Sequence, residues 1–174
     1  QEEHPMYFYE SPNIEKSLRE HLPKDSIVFK RNETGFHITS APPWLVPEHL
    51  KLDYDLIYFK VLSIGEEFVR VEGNKTKGHP TYVNRWNGDL IFWPDFLLKV
   101  NSIEFLGKNE SIIRIKPLEN AAMVTIDFDF MKPILINESW AKVVLLDSDQ
   151  TKKGEGWIQW KKDGQLLISY SLLS

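Results

Sequence analysis

A mostly β fold made of two small antiparallel barrels follows from three features of the sequence. Short apolar runs alternate with polar or glycine-containing breaks along nearly the whole chain, the pattern of small strands joined by turns. Asp163-Gly164 lies between two such runs, and this pair suits a type I′ hairpin, whose central residues both need positive φ. The last third, Asn137 to Leu173, also has an earlier counterpart. Ile64-Gly-Glu-Glu-Phe68-Val-Arg-Val71 aligns with Ile136-Asn-Glu-Ser-Trp140-Ala-Lys-Val143 at an offset of 72 positions. Tyr82-Val83 aligns with Trp157-Ile158, and Leu97-Leu98 with Leu172-Leu173, at an offset of 75; Asn87-Gly88 aligns with Asp163-Gly164 at 76 and Pro12 with Pro117 at 105. A repeat of this size predicts two similar small domains. They are 1–100, with an inserted stretch around 30–62, and 101–174.

The elements follow in order. Met6 to Tyr9 reads as a first strand. Ser11-Pro12 reads as a helix start, with Ser as N-cap and Pro at the first helical position. Ile14, Leu18 and Leu22 recur at helical spacing and Glu15/Arg19 form an i,i+4 pair, so one short helix is predicted before Pro23. Ser26–Lys30 and Phe36–Thr39 are strands about a turn at Glu33-Thr34-Gly35. Ser40 to Pro47 contains Pro42, Pro43 and Pro47, which exclude a helix interior or a central strand. Leu56–Leu62 and Glu67–Val71 are the next strands. Thr81–Trp86 and Leu90–Trp93 form a hairpin about Asn87-Gly88, and Phe96–Val100 closes the first half. Ile112–Lys116 opens the second. Val124 to Phe130 has the cleanest alternation, with Val124, Ile126, Phe128 and Phe130 on one face. Short strands at this spacing fit two small barrels.

Composition bounds the function. Apolar residues are 42% and aromatics 13% of 174 residues, enough for packed cores. A net charge of −4 does not suit nucleic-acid binding, and no run reaches the roughly 18 apolar residues of a membrane helix. The absence of cysteine excludes disulfides, Cys-ligated metals and thiol catalysis. The chain starts at Gln1, and Gln1-Glu-Glu-His-Pro5 reads as the polar start of a mature exported protein; a trimmed chain is the plainer reading. An exported protein without cysteine fits a bacterial periplasm or surface. Asn-x-Ser/Thr triplets at Asn32, Asn74, Asn109 and Asn137 read as chance in a polar sequence or as glycosylation acceptors.

Both halves resemble bacterial SH3-like domains, small barrels found in tandem in exported cell-envelope proteins. The second half carries the resemblance in Arg114-Ile-Lys-Pro117, Ser139-Trp140-Ala-Lys-Val143, Gly156-Trp157-Ile158 and Ser171-Leu-Leu173. The first carries it in Glu10-Ser-Pro12, Phe68-Val-Arg-Val71, Tyr82-Val83 and Phe96-Leu-Leu98, with Phe68 and Tyr82 where Trp is usual. The resemblance implies a non-catalytic module binding peptidoglycan or peptides.

The histidines, His4, His21, His37, His49 and His79, show no metal spacing, and no nucleophile elbow or phosphate loop is present. No cofactor or metal is expected. Asp127/Asp129 and Asp147/Asp149 read as solvated residues. Aromatics are the remaining signal. Trp140 and Trp157 are expected in cores. Trp86, Trp93, Trp160 and Tyr170 sit at or near expected hairpins, where a flat apolar face with a polar edge suits a peptide or sugar; core or interface packing is the competing reading. Trp44 is either an exposed contact or a pin for its Pro-rich segment. The leading expectation is a non-catalytic binding module for a peptide, a peptidoglycan fragment or an envelope protein. The alternatives are a hydrolase using Asp127, Asp129 and a histidine in the groove between the two halves, and a scaffold that self-associates through residues 40–47.

Overall fold

The computed structural model describes residues 3–33, 35–107 and 111–172; Gln1, Thr34, Asn109 and Leu173 of the readings above lie outside them. The fold is mostly β, in several small antiparallel sheets. The chain divides into two compact units, Gln1–Asp89 and Leu90–Ser174. Leu97 and Val100 are fully buried in the second unit's core. The stretch from Leu90 to Val100, assigned above to the first half, therefore packs with the second.

In the first unit β1 (Glu3–Phe8), β2 (Asp25–Asn32) and β3 (Gly35–Ser40) form one sheet in that order. β4 (His49–Lys51) pairs with β5 (Leu56–Tyr58). β6 (Lys60–Ile64), β7 (Phe68–Glu72) and β8 (Pro80–Asn84) form a meander. The expected helix after Ser11 is instead an arm between β1 and β2, with one 3₁₀ turn at Leu18–Glu20. Ile14 and Leu22 are exposed. The helical spacing fails because no apolar surface faces that stripe, and a helix this short is marginal alone. The 3₁₀ turn is held by a capping box between Ser17 and Glu20, by the Leu18 N–H donating to the Glu67 carboxylate, and by His21, whose ring meets Phe68 edge-on.

The second unit begins with α1 (Trp93–Leu97), where the sequence suggests strands on both sides of Pro94. Proline is accommodated in a first helical turn, where its missing N–H costs nothing, and Asp95 complements the helix dipole there. The hairpin expected about Asn87-Gly88 is accordingly absent; β8 ends at Asn84 and a turn follows. β9 (Ser102–Phe105), β10 (Phe130–Asn137), β11 (Trp140–Leu146), β12 (Lys152–Gln159) and β15 (Ile168–Ser171) make one sheet in the order β12-β11-β10-β9-β15. β13 (Lys161–Lys162) and β14 (Gln165–Leu166) form the hairpin about Asp163-Gly164. Both turn residues have positive φ, 49° and 78°, as a type I′ turn requires. Residues 124–129 are not a strand, despite their alternation. They run along the unit's surface with Val124 and Phe128 packed on the core, so alternation here records one buried side of an irregular segment.

The two meanders share a register. Phe68 pairs with Asn84, Val69 with Val83 and Arg70 with Tyr82; Trp140 pairs with Gln159, Ala141 with Ile158 and Lys142 with Trp157. The β6–β7 ladder has a bulge between Val61 and Ser63, and the β10–β11 ladder one between Pro133 and Leu135. One antiparallel bridge ties each arm to the last meander strand. Tyr9 and Tyr82 exchange N–H···O=C bonds of 2.8 and 2.9 Å, and Arg114 and Trp157 exchange two of 2.7 Å. The strand expected at Ile112–Lys116 is reduced to that bridge and one to Met123.

The Pro-rich segment is pinned to the first unit. Val46 runs parallel to Asn74, its N–H donating to Gly73 O and its carbonyl accepting from Lys75 N–H, both at 2.9 Å. Asn74 is 5% exposed. Its Nδ2 donates to Trp44 O at 2.7 Å, and its Oδ1 accepts from the Thr76 and Lys77 N–H groups at 2.9 and 2.8 Å. Gly73 is required beneath this contact, since a Cβ there would lie 2.6 Å from Trp44 Cζ3. Asn74→Ala removes the partner of a part-buried carbonyl and of two part-buried N–H groups, and is expected to cost about 1–3 kcal/mol in urea unfolding. Asn74→Asp keeps the acceptor for the two N–H groups but sets a carboxylate oxygen against Trp44 O, so it should destabilise as well. Equal stability of wild type and Asn74→Ala would show that other contacts hold the segment.

Candidate functional site

The tryptophans sort by the face on which the backbone places them. Alternation along β12 puts Gly156 and Ile158 on the core side and carries on to Trp160. Trp160 is 1% exposed. Its backbone N–H donates to Ser139 O at 2.9 Å and its Nε1–H to Glu138 O at 3.1 Å. A side chain so enclosed offers no face to a ligand, so Trp160 leaves the set of candidate contacts. Trp140 and Trp157, expected inside, lie half-buried on the opposite face, because the core positions beside them hold Ala141, Val143 and Ile158.

Trp86 is the reverse case, 76% exposed. It follows β8 in a turn where its N–H donates to Asn84 Oδ1 at 3.0 Å and Asn87 N–H donates to Asn84 O at 3.1 Å, an Asx turn that fixes the backbone. The Arg85 guanidinium lies 5.2 Å from the ring centroid, a cation–π contact that steadies the ring. Arg85 N–H donates to Glu67 O at 2.8 Å, anchoring the turn to the β6–β7 end of the meander. The result is an indole platform held out from a rigid base.

Trp44 acts as the pin. Its ring stacks on His79 at 4.3 Å and meets Phe8 edge-on at 5.1 Å, and its Nε1–H donates to Asp25 Oδ2 at 3.0 Å. Beside it is a shallow depression of about 400 Å³ lined by Tyr7, Lys24, Asp25, Pro42 and Pro43 among others. Glu10 and Lys24 pair in the same unit; their hydrogen bond lowers the Glu10 pKa and raises that of Lys24.

In the second unit Trp93, Phe96 and Tyr170 pack edge to face, with centroids 4.9–6.0 Å apart. All three are half-buried against the core. Ile91, Phe92 and Leu98 of the same segment are exposed, and an open depression of about 350 Å³ lies among Leu90, Ile91, Asp95, Leu98 and Lys99. The sequence drew attention to Trp93 and Tyr170 through proximity to hairpins; the structure brings them together through α1 and β15.

The five histidines all fall in the first unit and Asp127 and Asp129 in the second. Among the described residues no three His, Asp or Glu side chains gather as metal ligands. His21 and His79 serve packing, against Phe68 and Trp44. Among the described residues the acid farthest from its ordinary range is Glu155, lowered to about 2 by hydrogen bonds from Lys142 and then Lys152, one to each carboxylate oxygen. This is an ion-pair network on the outer face of β11 and β12. Of the Asn-x-Ser/Thr triplets, Asn74 has its amide committed to Trp44 O inside the fold, whereas Asn32 and Asn137 are exposed.

Sequence reasoning passed over Arg85, Phe92 and the β6 residues Val61, Leu62 and Ile64. The only signal for β6 was apolar residues on both faces of a strand, which reads equally as full burial.

Trp160→Ala is expected to cost roughly 3–5 kcal/mol, and Trp86→Ala to stay within about 0.5 kcal/mol, in chemical unfolding. Comparable losses would contradict this sorting. The lowered Glu155 pKa contributes stability that is present above about 4.5 and is lost as pH falls toward 2. NMR titration should place its midpoint near 2 in wild type and higher in Lys142→Met; an unshifted Lys142→Met would dismiss the pair as its cause.

Comparison with known proteins returns no matching family, no matching curated protein and no matching solved structure.

Proposed function

We propose that the protein is a non-catalytic binding module of two SH3-like units that acts outside the cytoplasm, at the cell envelope, on a peptide, a peptidoglycan fragment or another envelope protein. Three features support two divergent copies of one small-barrel plan: the common meander register, the bulge at the same step, and the arm-to-strand bridge in each unit. The residues concerned keep the offsets read from sequence. Tyr9 and Arg114 differ by 105, Tyr82 and Trp157 by 75, Val61 and Pro133 by 72. In the second unit the last strand pairs with the first, a pairing that a small-barrel plan also uses.

The observation that carries a binding role is Trp86. A large aromatic held in a fixed turn and left in solvent contributes nothing to the core. It gives a ligand contact area at little cost in conformational entropy, and Trp is the residue most enriched among interface anchors. Peptides and peptidoglycan fragments both offer CH-rich surfaces beside amides, which suit an indole face with a cation at its edge.

Titration of the intact chain with muropeptides and with envelope-protein extracts, followed by indole fluorescence and pull-down, tests this. Binding is expected, and Trp86→Ala should weaken it by about 2 kcal/mol or more while leaving the unfolding midpoint in place. Failure of all three ligand classes, or binding indifferent to Trp86, overturns the reading.

A further inference from the structure

The outer face of the second unit's meander gathers charge of one sign. Lys132 of β10 lies opposite Val144, Lys142 of β11 opposite Trp157, and Lys152 of β12 opposite Leu146. These positions alternate with buried Val143 and Leu145, and directly opposed residues share a sheet face, so all three lysines lie on the side away from the core. Arg114 joins them through its bridge to Trp157, with its guanidinium steadied by donation to Ala121 O at 2.7 Å. Leu90–Ser174 as a whole holds ten cations and eleven acids. Among the described residues of this face, four cations meet one strand carboxylate, Glu155, opposite Val144. Asp129, Glu138 and Asp147 sit at strand ends, and Asp147 is taken by the Asp149 and Thr151 N–H groups and by Lys153. Glu155 does not neutralise the set. Its two oxygens hold the Lys142 and Lys152 ammonium groups at 2.6 and 2.5 Å, while those side chains keep 33% and 56% of their surface in solvent. An ammonium has three donors, so each lysine is fixed in place with donors left for a further anion.

Two indoles stand among these cations. Trp140 lies opposite Gln159 and Trp157 opposite Lys142, so the two are diagonal neighbours across β11 and β12, both half-buried on the outer face. Asn137 and Gln159 lie on either side of Trp140, and each carries a primary amide that donates and accepts. β11 is paired on both sides, by β10 and β12, so the middle of the face has no free ladder to which a peptide strand could add. It offers flat apolar area, amides and fixed cations instead. We propose that this face binds an acidic glycan. The carboxylates of a pyranose chain meet the cations, its CH faces lie on Trp140 and Trp157, and its hydroxyls reach Asn137 and Gln159. A single nucleic-acid strand would also match rings and cations; the extracytoplasmic setting proposed above decides for the glycan. The proposal rests on that reading for the setting alone and uses no residue of the first unit.

The probe is tetragalacturonate, titrated into the intact chain at low salt and followed by NMR of the indole Nε1–H signals. Cellotetraose, a tetraglutamate peptide and a short oligothymidylate are titrated alongside it. Expected are shifts at Trp140 and Trp157 and none at Trp86, affinity about tenfold or more above that for cellotetraose, and weakening as salt is added. Lys132→Glu should bind about tenfold more weakly. That position is exposed, so the variant should keep the wild-type melting temperature. No shift at either ring with millimolar tetragalacturonate, equal binding of cellotetraose, or unchanged affinity in Lys132→Glu overturns the proposal. Tighter binding of tetraglutamate or of the oligothymidylate also overturns it, because the occupant is then an acidic peptide or a nucleic acid. Tetragalacturonate shifts at Trp140 and Trp157, with no muropeptide or envelope protein moving Trp86, sink the Trp86 reading and keep this one; the converse sinks this one alone.

Discussion

Each unit depends on a pair of backbone hydrogen bonds between residues far apart in the chain. Tyr9 with Tyr82, and Arg114 with Trp157, fasten an irregular arm across the last strand of a three-stranded meander. The residue just before each bridge, Phe8 or Ile113, is thereby driven into the core. A meander alone has one face to bury and nothing to bury it against, and two or three strands are marginal in water. The bridge supplies the second layer. Its entropic cost grows only slowly with the length of chain it closes, so the arms can differ widely in length without changing the geometry at the crossing.

Beyond that shared step the units diverge according to which segments remain to complete the core. In the second, α1, β9 and β15 complete it with aliphatic side chains and with Trp160. In the first, Trp44 and Phe59 from the stretch between β3 and β6 gather around Phe8, and buried Asn74 holds the backbone of that stretch in place. A polar residue is the right tool there. Pro42, Pro43 and Pro47 leave the segment few of the donors a ladder needs, so the Asn74 amide, donating to Trp44 O, supplements the one backbone bridge at Val46.

Sequence alone gave a mostly β chain, the Asp163-Gly164 turn, the strands on either side of it and the pairing offsets of the meanders. Each depends on local chemistry or on period-two burial, which residues in sequence order record directly. What it missed depended on which neighbour a segment meets. Ser11 to Leu22 has helical spacing but no surface for its apolar stripe. Val124 to Phe130 alternates but borders a core rather than a strand. Trp93-Pro94-Asp95 reads as a break in an extended run, and forms a helix because Leu97 can reach the cluster around Ile103 and Ile168. Of the residues singled out for function, Trp86 is presented to solvent, Trp44 is a pin, Trp93 and Tyr170 form one cluster, and Trp160 is interior. Proximity to a hairpin does not determine exposure; along β12 the parity of the position does, and off the strands the packing partner does.

That parity rule also explains why the chain can carry so many aromatics without collapsing onto them. Trp140 and Trp157 lie on the outer face beside Lys142 and Glu155, where charged neighbours interrupt the apolar surface. Trp86 stands apart with Arg85. On β6 the neighbours are mixed: Val61, Leu62 and Ile64 are exposed, with Lys60 opposite Glu72 and Ser63 opposite Arg70. A rigid strand pays little entropy to receive a partner, since its backbone is already extended and held by β7. The same rigidity makes an uncovered strand hazardous to leave open. An edge of that kind persists through folding and storage at the concentrations of a cell only if something regularly occupies it or its local twist turns partners away. The bulge between Val61 and Ser63 supplies that twist, and β10 carries an equal bulge between Pro133 and Leu135. In both units the run pairs upstream of its bulge, with β4 at Tyr58 and with β9 at Met131, and the twist of the bulge limits pairing beyond it.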